Sequence, residues 1–184
     1  MKGFIWGVIA TIVSATFLAL FVGLTGHISM RADILPSSLE KNFAMRVMDA
    51  NVARNAPKMA NPVQPTDQNI AAGASIYRKH CAMCHGEPGQ PKSPVANTLY
   101  PPPPQFVTDP QNMAENKDYY IILHGVRWTG MPGWKNLLKD QEIWQVVTFL
   151  SHMSNLPPAA KAVFGVTGAS PAAAPAKRMK MPKM

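Results

Sequence analysis

Two cysteines and the histidine after them are the side chains in this chain best placed to do chemistry. The stretch "YRKHCAMCHGEPG", Tyr77 to Gly89, holds Cys81 and Cys84, the only cysteines among 184 residues, and His85 follows directly. Three chemistries use C-x-x-C. A zinc site needs four ligands, normally with a second Cys or His pair at comparable spacing. No further cysteine exists, and His27, His80, His124 and His152 form no H-x3–5-H pair with one another. A thioredoxin-type couple expects a βαβ setting, which this helical pattern does not supply. Covalent haem attachment has C-x-x-C-H as its signature. Two thiols about one helical turn apart reach the two vinyl groups on one porphyrin edge, and the next residue brings an imidazole under the iron.

A second constellation lies downstream, in "GVRWTGMPGW". A thioether on a rigid Gly-Met-Pro-Gly loop suits the second axial position of a low-spin haem, and methionine ligation raises the reduction potential. The competing reading makes Met131 an ordinary core methionine, but Gly130, Pro132 and Gly133 are poor company for a packed helix. His124 and His152 compete as sixth ligands, and His80, beside Cys81, reads as a partly exposed helix residue. With His85 and Met131 both on the iron, no position is left for a substrate, so the expectation is an electron carrier and not an enzyme. The terminal "MKMPKM" has the soft thioethers of a Cu(I) site, set against the default of a solvated basic tail.

These groups need elements to hold them. Thr66 is placed to cap a helix that carries Ile70, Ala74, Tyr77 and Cys81 on one face, with Asp67 in its first turn. Residues 86–112 contain eight prolines, including the run Pro101–Pro104, and read as an irregular wrap. Asn116 is a candidate cap for a short helix, "KDYYIILHG", which Gly125 ends. Ile143, Val146, Val147, Leu150 and Met153 form the apolar stripe of a last helix, stopped by Pro157.

Upstream, Gly3–Gly26 runs without a charge. As a helix it reaches roughly 36 Å, enough to cross a hydrocarbon core of about 30 Å. A cleaved signal peptide is the alternative; its apolar region is usually shorter and ends in a small-x-small site, which this run lacks. The expectation is therefore an anchor, or an uncleaved signal, over residues 1–26. Residues 38–56 then place Leu39, Phe43, Val47 and Ala50 at helical spacing, with Ser37 or Ser38 as the cap. Pro57, Pro62 and Pro65 impose an extended strap, so 27–66 reads as an amphipathic helix and a Pro-rich connection.

The formal charge of +8 belongs to the flanks. Residues 67–156 carry seven Lys/Arg and seven Asp/Glu, whereas 157–184 carry five Lys/Arg and no acid. A neutral central unit argues against a nucleic-acid partner, which would need a basic face on the folded domain. Residues 157–184, rich in Ala, Pro, Lys and Met, read as a disordered tail whose charges steer docking or hold the domain near anionic headgroups.

With "CAMCH" and "GMPG" in this order, and a helix on either side, residues 67–156 resemble a class I monohaem cytochrome c, a membrane-anchored bacterial one given the flanking segments. The resemblance implies an all-α fold, three to five helices around one covalently bound haem c per chain, preceded by the transmembrane helix. It implies Cys81 and Cys84 as thioether sites and His85 and Met131 as axial ligands. It implies that the helix before the motif crosses the last helix at Gly73, with Tyr77 and Trp144 as aromatic partners. It places Pro94 as the acceptor of the His85 Nδ1 proton, with Pro91 in competition, and Tyr100, Trp128 and Trp134 around the haem or in the core. Because such proteins receive haem outside the cytoplasmic membrane, it puts residues 27–184 in the periplasm, on a single-pass anchor. The basic residues after the anchor, Arg31, Lys41, Arg46, Arg54 and Lys58, then run against the positive-inside rule. The implied partners are a redox donor and acceptor, or the subunits of a respiratory complex on which the 38–56 helix packs. A ligand-responsive haem protein, with Met131 displaced, is a third possibility.

Overall fold

The computed structural model describes residues 1–31 and 33–165. Seven α-helices form in these residues: α1 (Lys2–Leu24), α2 (Ser38–Asn55), α3 (Asp67–His80), α4 (Ala82–His85), α5 (Glu115–His124), α6 (Asp140–Ser151) and α7 (Pro158–Phe164). Short 3-10 turns occupy Val95–Thr98 and Met153–Asn155, and no strand forms among the described residues. The chain divides into two compact units, Met1–Ile34 and Leu35 onward.

The first unit is α1. It is long and apolar enough to cross a membrane, and none of its side chains is buried. That is the state expected of a helix that is hydrophobic all round and has no protein core to enter.

The second unit is built on α3, α6 and α7. Thr66 caps α3 by accepting from the Asn69 N–H, and Ser37 caps α2 by accepting from Glu40 N–H, both at 3.2 Å. Glu142 starts α6 by accepting from the Lys139 N–H at 2.7 Å. Four of the five stripe residues, Ile143, Val146, Val147 and Leu150, lie in the core with Phe149 and with Ile70, Ala74 and Tyr77 of α3, whereas Met153 falls beyond α6 in the next 3-10 turn and is half-buried. The two helices approach backbone to backbone at Gly73, where a Cβ would stand 2.0 Å from the Gln145 carbonyl oxygen and 2.8 Å from Phe149 Cβ. Only glycine permits that crossing.

The aromatic partners at the crossing differ from expectation. Tyr77 packs against Phe149 at 5.2 Å and Phe164 at 5.6 Å between ring centroids, while Trp144 stacks on Tyr119 of α5 at 4.1 Å. Tyr77 and Trp144 are therefore not a pair, because successive turns of α6 face different neighbours. The Tyr77 hydroxyl donates to the Gly86 carbonyl at 2.9 Å, so this buried ring carries no orphan polar atom.

Residues 158–164 correct the expectation of a disordered tail from 157 onward. α6 ends at Ser151, short of the expected stop at Pro157, which instead precedes α7 as its cap; Pro158 then sits in the first turn of α7, where its missing N–H costs nothing. Gly165, at φ 84°, closes α7 in the left-handed region. Ala160 and Phe164 are buried, Phe164 edge-on to both Tyr77 and Phe149, and Arg78 donates to the Val163 carbonyl at 2.7 Å. One well-buried aromatic contributes on the order of 2–3 kcal/mol toward docking this segment on the existing core. The remaining basic stretch, with the "MKMPKM" terminus, lies outside the described residues.

The Pro-rich strap between α2 and α3 is pinned at several points. Asn61 donates its amide to Thr148 Oγ1 at 2.9 Å, and Asn69 donates to the Gln64 carbonyl at 2.9 Å. Asn116, expected to cap α5, lies inside its first turn and donates to the Pro57 carbonyl at 2.9 Å. Ala114 takes the cap position, without a side-chain bond. On α2, Val52 and the adjoining Ala56 are buried, whereas Leu39, Phe43 and Val47 are exposed.

Candidate haem site

α3 ends at His80, and Cys81 turns the chain out of it. Its N–H still bonds to the Tyr77 carbonyl at 2.7 Å, while its own carbonyl accepts from Cys84 N–H at 3.1 Å and His85 N–H at 2.9 Å. The four-residue helix α4 thus stacks Cys81, Cys84 and His85 within one turn. Gly86, at φ 86°, ends it, and a Cβ there would lie 2.6 Å from the Pro91 carbonyl oxygen. Both cysteines are unpaired thiols and half-buried. Burial, with the neighbouring Cys84 as a lesser cause, pushes the Cys81 thiol up to about 12.

His85 is held on two sides. Its ring stacks on Phe106 with centroids 4.7 Å apart and planes within 8°. Its Nδ1–H donates to the carbonyl of Pro104 at 2.9 Å, since a carbonyl oxygen can only accept. Burial lowers the pKa of the imidazole, and the bond to Pro104 offsets part of that. A neutral ring with Nδ1 protonated leaves the Nε2 lone pair as its one ligating atom.

The Pro104 carbonyl corrects the expected acceptor, Pro94, which lies exposed at the start of the Val95–Thr98 turn. What brings Pro104 into place is Gln105, a residue sequence reasoning missed. Its amide donates to the Cys84 carbonyl at 2.9 Å and the Pro103 carbonyl at 2.8 Å, and its carbonyl oxygen accepts from the Ser93 N–H at 2.7 Å. The Ser93 hydroxyl donates in turn to the Met83 carbonyl. One half-buried amide therefore staples the cysteine motif to both ends of the proline-rich wrap. Phe106 adds a backbone bond to the His85 carbonyl at 3.2 Å. The only sequence signal was a polar and an aromatic residue directly after a proline run.

The second constellation is built by close approach of three glycines. A Cβ on Gly125 would meet Gly133 N at 2.5 Å, one on Gly133 would meet the His124 carbonyl oxygen at 2.7 Å, and one on Gly130 would strike Leu99. The Val126 N–H bonds to the Met131 carbonyl at 3.1 Å, and Met131 N–H bonds to Thr129 Oγ1 at 3.0 Å. Trp134 N–H and Lys135 N–H return to the Ile122 and Leu123 carbonyls, both at 3.1 Å. Met131 is thereby fixed on a loop folded against the end of α5. Cys81, Met131 and Trp134 are all half-buried against the core cluster that contains Phe106.

The other candidates are placed as follows. Trp134 packs edge-on against His80, ring centroids 5.1 Å apart, which accounts for that histidine. Tyr100 is half-buried. Trp128 is no core residue: it is 91% exposed, at φ 61°. His124 is exposed beside Tyr120, and His152 bonds to the Thr148 carbonyl through Nδ1. No group of three or more His, Cys, Asp or Glu side chains gathers among the described residues, and the C-x-x-C-H turn itself offers one imidazole and two thiols. Such a set does not make a closed protein-only metal site and does fit a metal carried in a porphyrin.

Comparison with known proteins agrees with that chemistry. The family model described as cytochrome C oxidase, cbb3-type, subunit III matches residues 68–150. The cytochrome c subunit of a quinone alcohol dehydrogenase from Gluconobacter oxydans is 34% identical over 87 residues, which cover 43% of this chain and 17% of that one. A chain of the Kuenenia stuttgartiensis reducing HAO-like protein complex superposes with a TM-score of 0.42 at 27% identity, covering 51% of this chain and 48% of the other. The match thus spans less than half the length of either relative. With the motif, the fixed imidazole and the helical frame in agreement, residues 68–150 are a c-type cytochrome domain.

Proposed function

We propose that this chain is a membrane-anchored periplasmic carrier of single electrons, with one haem c bound through thioethers to Cys81 and Cys84 and ligated by His85 and Met131. The observation that carries the reading is the fixed presentation of His85, with Nδ1 committed to Pro104 and the ring face covered by Phe106. Such a partner fixes the ring orientation and raises the basicity of the ligand. The bound haem supplies a one-electron Fe(II)/Fe(III) couple. The chain's own residues hold the ligand atoms still, so that little need move between the two states, and Phe106 and Trp134 provide apolar surroundings. One haem per chain follows from the single pair of cysteines, and the anchor reading rests on α1.

The test begins with attachment. Acid acetone should leave the haem on the protein, and the pyridine haemochrome should take the two-thioether form. Met131→Ala should then abolish the weak long-wavelength charge-transfer band of the oxidised protein, open the iron to carbon monoxide and lower the potential. Met113→Ala and Met153→Ala should do none of these. Extractable haem, or a band that survives Met131→Ala, sinks the reading.

A second reading makes the chain a fixed cytochrome subunit of a larger oxidoreductase. It is favoured by the Gluconobacter oxydans relative, itself named as a cytochrome c subunit of a quinone-linked dehydrogenase. Gel filtration of the native protein from mild detergent separates the two, since a free carrier elutes alone.

A further inference from the structure

α2 carries two apolar stripes on opposite sides, and only one of them has a partner in the fold. At about 100° per residue, Met48, Val52 and Ala56 share one side of the helix line, and Leu39, Phe43, Val47 and Ala50 fall within about 80° on the other. The inner stripe meets the cytochrome domain: Val52 and Ala56 are buried, and Met48, Val52 and Ala53 line a groove with Met113, Lys117 and Ile121. The Tyr120 hydroxyl donates to Asn51 Oδ1 at 3.2 Å beside it. The outer stripe meets nothing, with Leu39 81%, Phe43 68% and Val47 53% exposed.

The outer stripe also has a charge signature. By the same angular count Arg54 falls inside it, Arg46 about 20° beyond one edge and Glu40 about 20° beyond the other, all three exposed, so bases outnumber acids along it by two to one. Among the described residues the ion pairs are Arg31–Asp33 and Arg78–Glu87, so neither arginine is neutralised by a carboxylate of its own chain. Long apolar side chains flanked by arginines are the pattern of a helix that lies in a membrane interface, with guanidinium groups reaching the headgroups from the rim of the apolar face. The same chain places a charge-free helix of membrane-spanning length directly upstream, ending at Leu24, with α2 beginning at Ser38. A protein partner with carboxylates would bury the stripe and pair the arginines equally well, but it would not account for the neighbouring span.

We infer that the outer stripe of α2 lies in the headgroup region of an anionic bilayer, so that α2 is held between lipid on one side and the cytochrome domain on the other. The domain is then not a freely swinging tethered body. Its orientation on the membrane is set by the angle between the two stripes, and so is the direction in which the haem edge faces its partners. The inference rests on the membrane-anchored reading of α1.

The test uses full-length, haem-loaded protein in bilayers of phosphatidylcholine with and without phosphatidylglycerol. Nitroxide labels are placed through Leu39→Cys, Phe43→Cys and Val47→Cys on the stripe, Ala44→Cys off it, and Val13→Cys in α1. Measurements are made with the iron reduced and diamagnetic. With phosphatidylglycerol, the three stripe labels should collide freely with oxygen and little with a nickel chelate, at a ratio several-fold above that at position 44. That ratio should fall toward the position-44 value without anionic lipid or in Arg46→Gln/Arg54→Gln. Equal ratios in both bilayers overturn the role assigned to the two arginines. Stripe labels open to the chelate, with the Val13→Cys label deep in lipid, overturn the inference and leave the anchor standing. Stripe labels shielded from both reagents mean that a protein covers the face, which also overturns it. A Val13→Cys label in water removes the anchor reading and the inference together.

Discussion

The Nδ1–H of His85 points at the carbonyl oxygen of Pro104, 2.9 Å away and nineteen residues on. That bond depends on a segment with no regular structure, and Gln105 is what holds the segment in register. Its side-chain amide uses donor and acceptor groups together, on Cys84, Pro103 and Ser93.

Gln105→Leu keeps the size of the side chain and removes all three bonds. Leaving buried carbonyl and amide groups without partners costs about 1–3 kcal/mol each when solvent cannot replace them. The expected result is a lower urea midpoint, together with shifted haem-methyl resonances in the oxidised protein as the His85 ring loses its fixed angle. Gln105→Glu, which keeps the acceptor toward Ser93, should retain part of the stability. A resonance pattern identical to the parent's in Gln105→Leu would show that Phe106 alone orients the ring.

Gly73→Ala tests the helix crossing. In an open helix this substitution stabilises by about 1 kcal/mol. Here the new methyl would stand 2.0 Å from a backbone oxygen of α6, an overlap that no rotamer relieves. Overpacking of this kind costs about 1–3 kcal/mol or more, and the helices must separate. Net destabilisation in denaturant titration is expected, with weaker near-ultraviolet signals from Tyr77 and Phe149. An unchanged or raised midpoint would mean that α3 and α6 do not cross there.

Phe164→Ala should cost about 3–5 kcal/mol, the range for an aromatic removed from a core. An inert tail would lose nothing. Thermal and denaturant unfolding of the haem-loaded protein decide between these. Val163→Ala, at a half-buried neighbour on the same helix, serves as the milder control.

Asp118 gives the protein a stability that depends on pH. Its carboxyl lies buried on α5, bonded to the Gln111 amide at 2.8 Å, and is pushed up to about 7 by burial and then by Glu115. A folded value above the unfolded one means that the native state binds the extra proton between them. Stability is therefore full below about pH 4, falls as pH rises toward 7, and levels off above it. A tenfold difference in proton affinity between the folded and unfolded chain is worth about 1.4 kcal/mol, so the loss amounts to a few kcal/mol. Asp118→Asn should flatten this part of the profile, leaving the variant more stable than the parent at neutral pH. Urea midpoints at a series of pH values measure it.

Much of the site and the frame was legible in the amino-acid sequence because it is encoded over short distances. The C-x-x-C-H spacing, the Ser37 and Thr66 caps, the stripe of α6 and the stop at Gly125 all depend on residues within about one helical turn of one another. Gly73 belongs with them by resemblance, and its reason, a backbone contact with Gln145, is a tertiary fact. The glycines around Met131 signalled a tight loop, and the structure shows which backbone atoms each one admits.

What only the tertiary structure decided involves partners far apart in the chain. Eight prolines follow the motif, and each has a carbonyl able to accept from His85. Which one arrives depends on the path of a segment without period, and on Gln105, so Pro104 and not Pro94 is the acceptor. Residues 158–164 are too few and too alanine-rich to declare a helix alone; α7 exists because Phe164 enters a space already walled by Tyr77 and Phe149. The apolar spacing of α2 was visible, yet a sequence cannot say which of two opposite stripes a fold will cover. The α5 surface accepted Val52 and Ala56 and left Leu39, Phe43 and Val47 outside, because burial is a property of the assembled surfaces and not of either strip of sequence.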